Sequence, residues 1–244
     1  MAVVPCVAIV SDSCTSRPTA LARSVSGALP AAGSSAARFG VLDRDLNPEW
    51  LERLSASTAV AVDTEAMGLV HGRDRLCLVQ ICDAEDNVCC IRIERGQQQA
   101  PLLQQLMENG GIEKIFHFAR FDVAALGEGL GINVAPLFCT KVASRLARTY
   151  TNRHGLKEVV QELCGVELDK GAQSSDWGRV DELSEVQLAY AANDVRYLLP
   201  ARDALVRMLA REERLELALR SFQCIPVIAE LDRGRFGAIF EHRS

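Results

Sequence analysis

Several things are missing from this sequence. No apolar run approaches the roughly 18–20 residues that cross a bilayer as a helix, so no membrane-spanning helix is expected. Nothing basic precedes the short apolar stretch Ala2–Val10, and Pro5 interrupts it, which argues against a secretory leader. There is no Cys-x-x-Cys pair, hence no structural zinc signature, and the nine cysteines are odd in number. Cys77, Cys82 and the Cys89–Cys90 pair fall in apolar, strand-like runs. There they read as small core residues of a reducing compartment rather than as a disulfide framework, and a cytoplasmic location is expected. Positive charge is also short: 27 Lys and Arg stand against 32 Asp and Glu, a net charge of −5. That excludes a protein that coats DNA through its overall charge. Contact with a polyanion then needs a local basic patch or a metal-bridged phosphate.

What is present supports one folded domain with a tail, since 48% of the 244 residues are hydrophobic. Residues 1–38 differ from the rest. They are rich in Ala and Ser, carry Arg17, Arg23 and Arg38, and hold a single acid, Asp12. Two readings fit: a disordered extension, or an organelle transit peptide that would change the expected location. The domain is expected over 39–215, with 216–244 as a helical or irregular tail packed on it.

Asn47-Pro48 reads as a helix cap followed by a first-turn proline. Strands are predicted at Thr58–Val62, running into Asp63-Thr64-Glu65, and at Leu76–Cys82, Asn87–Ile93 and Lys114–Phe118. Helices are predicted at Pro101–Glu108, Arg120–Leu130, Lys141–Thr149 and Leu156–Leu163, and from Ser184 to about Leu219, where Pro200 should kink or split the run. Hairpin-paired strands followed by strand–helix alternation give an α/β fold, a mixed sheet with helices packed on it.

Three elements carry chemistry. Asp63 and Glu65, two apart at a strand end, share a face, and two such carboxylates invite a divalent cation. Asp122 follows His117 across a strand-to-helix junction. Tyr190 and Asp194 lie one helical turn apart, so a phenol can hold a water beside a carboxylate. Each has an ordinary explanation by itself: loop acids, a helix cap, a strand histidine, a surface pair. Lys141, Arg145 and Arg148, spaced i, i+4, i+7, form either a basic face that tracks a nucleic-acid backbone or a plain solvated face.

Together the stretches are specific. VAVDTEAMGL (60–69), DRLCLVQIC (74–82), FHFARFD (116–122), CTKVASRLARTYTNRHGLK (139–157), QSSDWGR (173–179) and QLAYAANDVRYLL (187–199) resemble the DEDD superfamily of 3′–5′ exonucleases. The likeness is to the subgroup with a tyrosine in the last motif, and above all to ribonuclease D. The resemblance implies a ribonuclease H-like fold and makes Asp63, Glu65, Asp122 and Asp194 the ligands of two Mg²⁺ or Mn²⁺ ions. Tyr190 becomes the residue that positions the attacking water. It also implies RNA with a single-stranded 3′ end as substrate, tRNA precursors for example, with nucleoside 5′-monophosphates as products.

Substrate contacts are expected from His117, Phe121, Lys141, Arg145, Arg148, Gln173 and Trp177, with Leu69 or Phe121 stacking on a base; Leu69 and Phe121 read equally well as core residues, and Trp177 also as packing. Only about 30 residues follow Glu213, so the accessory helical domains of longer ribonuclease D proteins are not expected here; self-association or a partner protein would compensate. The alternatives are a single-strand DNA exonuclease, a silent nucleic-acid-binding scaffold and a phosphodiesterase for small nucleotides. A scaffold would have lost an acid, and all four are present.

Overall fold

A computed structural model describes residues 38–168, 175–236, 239, 240 and 242. The extension expected over residues 1–38 lies, apart from Arg38, outside the described residues, as does Gln173.

Six strands form one sheet in the order β1-β4-β3-β2-β5-β6, with β1 Phe39–Asp43, β2 Ala59–Ala66, β3 Leu76–Cys82, β4 Val88–Arg92, β5 Glu113–Phe116 and β6 Leu137–Cys139. β2 pairs antiparallel with β3 and β3 with β4, while β1 joins β4, β5 joins β2 and β6 joins β5 in parallel. β3 is buried along its whole length, as its unbroken apolar run LCLVQIC requires of a strand covered on both faces. The strand cysteines Cys77, Cys82, Cys89, Cys90 and Cys139 are free thiols in this core, and burial raises the pKa of each.

Among the described residues eight α-helices flank the sheet: α1 Pro48–Ser55, α2 Pro101–Met107, α3 Ala119–Leu130, α4 Thr140–Ala147, α5 Leu156–Cys164, α6 Glu185–Arg196, α7 Leu198–Arg211 and α8 Leu215–Arg233. Asn47 caps α1 by accepting the Trp50 N–H at 2.9 Å. Ser184 and Gln187 close a reciprocal capping box on α6. None of the described helices is long and apolar enough to cross a membrane.

Several expectations are corrected. β1 and β6 are absent from the sequence reading because one is a five-residue edge strand interrupted by Gly40 and the other has three residues. β2 runs from Ala59 to Ala66, so Asp63 and Glu65 lie near its end, as expected, with one further strand residue after them. The fourth expected strand stops at Phe116; Phe118 has φ 73° and turns the chain into α3. The long helical run breaks at Tyr197 rather than at Pro200, which sits in the first turn of α7, where its missing N–H costs nothing.

Leu215–Arg233 form one long helix, which passes through Pro226. α8 lies against α3 and buries Ala218, Phe222, Ile225 and Ala229, with the Phe222 ring 4.6 Å from that of Phe138 in β6. Arg120 of α3 and Asp232 of α8 form a two-pronged ion pair.

Two cations are inside. Lys114 is fully buried, yet its ammonium donates to the carbonyls of Asn109 (2.8 Å), Ile112 (2.6 Å) and Ala135 (2.7 Å), using all three protons. Arg148 is 1% exposed and donates to Ser144 Oγ (2.9 Å), the Arg153 carbonyl (2.7 Å) and the Glu162 carboxylate.

If α8 is part of the core, Phe222→Ala should destabilise the whole domain by about 3–5 kcal/mol, the usual cost of an emptied aromatic site. Urea unfolding followed by circular dichroism checks this; an unchanged midpoint would show that α8 is only appended.

Candidate active site

Alternation along β2 sends Asp63 and Glu65 to one face and Thr64 to the other. α6 covers the face that carries the acids and brings Asp194 down on them. Carboxylate oxygens of Asp63, Glu65 and Asp194 all lie within 4.8 Å of one another. The Tyr190 phenol stands one turn back on α6, beside Asp194, whose pKa it lowers. From the opposite side α3 presents Asp122, 3% exposed, whose Oδ1 accepts the Thr64 hydroxyl at 2.7 Å. Thr64 thus ties the fourth acid to the strand that holds the first two. Nothing in the sequence marks it except its place between two acids.

Like charges this close, half out of water, disfavour ionisation. Burial first, and the neighbouring acids second, raise Asp63 well above the usual carboxylate range and Glu65 to about 8. Burial carries Asp122 to about 7, against the Thr64 hydrogen bond that lowers it, and Asp194 to about 6, against the bond from Tyr190. Burial and the same acids push Tyr190 upward, so its phenol stays protonated. Four oxygen donors of high negative charge in one depression form a donor set for hard divalent cations.

Next to the acids a groove of about 620 Å³ is walled by Leu69, His71, His117, Phe118, Phe121 and Lys141. His117 enters it as a neutral ring: burial and then Lys141 hold its pKa down near 3, and its Nδ1 bonds to Thr140 Oγ1 at 2.8 Å. Phe121 lies tilted against His71, ring centres 5.5 Å apart. Of the three basic residues expected on one face, Lys141 reaches the groove and Arg145 is exposed on the same helix.

Arg148 is a correction. α4 ends at Ala147, and Arg148 leaves helical geometry at φ −101°, ψ 58°, so it turns inward instead of completing the i+7 row. Trp177 is a second correction. At 4% exposure it sits behind the Tyr190 ring, 6.3 Å between centres, in an apolar cluster with Leu78, Cys90 and Ala191, and supports the site rather than touching a substrate.

The charge crowding has a thermodynamic consequence. A carboxyl with a raised folded pKa binds more protons folded than unfolded, so the stability it contributes is lost as pH rises through that value. Between pH 6.5 and 8, above the ordinary titration of His117, the metal-free protein should lose thermal stability as Glu65 and Asp122 ionise. Millimolar Mg²⁺ should cancel the loss, and Asp63→Asn should raise the metal-free Tm at pH 8 while removing the Mg²⁺ response. Melting curves with chelator and with Mg²⁺ decide this; a Tm indifferent to Mg²⁺ at pH 8 would sink it.

Comparison with known proteins agrees with this geometry. A family model described as 3′-5′ exonuclease matches residues 39–210. Ribonuclease D of Acidiphilium cryptum is 37% identical over 165 residues, 68% of this chain and 41% of that protein. DNA polymerase I of Aquifex aeolicus is 37% identical over 170 residues, 68% of this chain and 27% of that protein. The chain thus spans less than half the length of these curated relatives. Brucella melitensis NrnC bound to pGG superposes with a TM-score of 0.80 at 43% identity, covering 85% of this chain and all of that one. Its Mg²⁺-bound structure superposes at 0.77 and 42% identity, covering 84% of this chain and 97% of that one. The mixed six-stranded sheet is that of the ribonuclease H-like exonucleases, and the chain belongs to the 3′–5′ exonuclease family.

Proposed function

We propose that this protein is a divalent-metal-dependent 3′–5′ exoribonuclease that releases nucleoside 5′-monophosphates. The observation that carries the reading is the convergence of Asp63, Glu65 and Asp194 within 4.8 Å, with Asp122 held alongside by Thr64. Asp63, Glu65, Asp122 and Asp194 would hold two such ions, and Asp63 is the acid whose charge feels all three of the others. Mg²⁺ fits this all-oxygen donor set, and the Brucella NrnC structure with bound Mg²⁺ supports that ion. When bound, such ions acidify water and neutralise charge on the scissile phosphate.

The chain's own residues do the rest. Ionised acids hold the centre together, and the protonated Tyr190 hydroxyl beside Asp194 orients the attacking water toward phosphorus. Lys141 meets the backbone phosphates at the groove wall. Ribonuclease D relatives support RNA as the substrate, and the likeness of the whole Brucella NrnC chain, seen with pGG, favours short RNAs over long ones.

A 5′-labelled RNA, its DNA counterpart and pGG, each with Mg²⁺, with Mn²⁺ and with chelator, test the reading. The expected outcome is shortening from the 3′ end only with metal, faster on RNA than on DNA, and fastest on the shortest RNAs. Cleavage that persists in chelator, or internal cuts, would overturn it; a DNA rate equal to the RNA rate would favour the DNA exonuclease reading. Asp63→Asn should abolish turnover in a folded protein. Tyr190→Phe should lower kcat at least about tenfold with little change in KM, since it removes only a proton donor of a general kind worth roughly 10²–10⁴ when fully used. An equal loss in binding would make Tyr190 a structural residue.

A further inference from the structure

One side chain of β3 is out of place in an apolar strand. In LCLVQIC (76–82) Gln80 is fully buried, yet among the described residues neither its amide nitrogen nor its amide oxygen has a hydrogen-bond partner. Burying a carboxamide unpaired costs free energy that leucine or methionine at the same place would not cost. The rest of the core does not behave this way. Lys114 uses all three of its protons, and the buried hydroxyls of Thr64, Thr140 and Ser144 are all bonded. Of the described residues Gln80 alone leaves two buried polar side-chain atoms unpaired. A local rule broken inside an otherwise satisfied core points to function.

The place of Gln80 in the sheet says which function. β2 and β3 run antiparallel with Asp63 directly opposite Gln80. Side chains paired in this way share a face, with Cβ atoms about 4.5–5.5 Å apart. On its other side Gln80 meets Cys90 of β4, a weak acceptor, and over this face lies α6, whose Ala191 packs on Leu78 and Cys90. Of these neighbours the Asp63 carboxylate alone can take a charge-assisted bond from an amide N–H. The other acids are already provided for. Asp122 receives the Thr64 hydroxyl at 2.7 Å, Asp194 has the Tyr190 phenol beside it, and Glu65 lies opposite the apolar Leu78. For Asp63, Gln80 is the side-chain donor that the sheet register sets alongside.

We propose that Gln80 is a positioning residue of the metal centre: its amide N–H donates to the Asp63 carboxylate and fixes the way that carboxylate faces a divalent cation. This inference rests on the exonuclease reading and adds to it a residue on β3 that neither binds metal nor touches substrate. Partners of this kind, one step behind the ligands, govern how tightly a metal is held.

The test uses the full chain and Mg²⁺. Gln80→Met and Gln80→Leu remove the amide and keep close to its volume. In chelator at pH 8 both variants should melt with wild type or about 2–4 °C above it, because apolar surface replaces an unpaired amide. When Mg²⁺ is titrated into the same melts, the variants should need about 10–100-fold more of it than wild type for half of the rise in Tm, the usual effect of losing a bond that orients a metal ligand. On a short 5′-labelled RNA they should lose at least about tenfold in rate at limiting Mg²⁺, recover in excess Mg²⁺ and keep the wild-type KM for RNA.

Variants that need no more Mg²⁺ than wild type overturn the assignment. So does a fall of many degrees in the Tm of both variants in chelator, which would make Gln80 a packing residue. A raised KM for RNA in excess Mg²⁺ also overturns it, since the amide would then act on the substrate. Each of these leaves the exonuclease reading standing. A wild-type protein whose Tm and RNA trimming are both indifferent to Mg²⁺ overturns the parent reading before any variant is made.

Discussion

Mutual repulsion among carboxylates is the interaction around which this molecule is organised. Asp63, Glu65 and Asp194 converge within 4.8 Å, and Asp122 joins them through Thr64. Water would relieve that crowding, and the site is half withdrawn from water, so the acids resist ionisation and their pKa values spread upward. A fold can sustain such a centre only if the elements that carry the acids are fixed by something else. Here β3, buried from end to end, lies directly beside β2 and anchors it. α6 is held over the acids by Trp177, Val180 and Leu78 packed under Ala191 and Tyr190. The repulsion is the form in which affinity for a divalent cation is stored.

The same logic explains the buried cations. Lys114 and Arg148 sit far from the acids in role: each satisfies carbonyls or a carboxylate at a point where the chain changes direction. Lys114 draws together the loop before β5 and the segment before β6, so the parallel pair β5–β6 is pinned at its start. Arg148 ties the end of α4 to the loop before α5 and to Glu162. The helix that carries Lys141 into the groove is thereby closed at its far end. α8 adds support from the other side, where Asp232 holds Arg120 at the groove rim.

Much of this was legible in the sequence. β3 and α1 announced themselves by an unbroken apolar run and by Asn47-Pro48, signals that depend only on neighbours in the chain. The acid pair of β2 and the Tyr190–Asp194 pair of α6 were legible because strand and helix periods fix which side chains share a face. Arg148 shows the limit of that rule: its i+7 spacing assumed a helix that stops one residue short, and the buried guanidinium pairs instead with the exposed Glu162 carboxylate. Trp177 read as a groove residue from its place in a motif, and only packing against Tyr190 revealed it as support. Thr64 and Phe118 carried no local signal. One is defined by a partner 58 positions away and the other by a backbone angle.

The sequence alone determined the kinds of groups and their local pairing: four acids, a phenol one turn from the last of them, and strand and helix periods that orient each. Those choices are set by covalent neighbours and by which faces must be apolar, so they can be read along the chain. Tertiary structure alone decided that three acids share one point while the fourth hangs from Thr64, that Arg148 is lost to the core, and that an aromatic ring stands exposed beside the acids. These are distances between segments far apart in sequence. They follow from how the sheet and helices pack in space, which residue spacing along a chain does not encode.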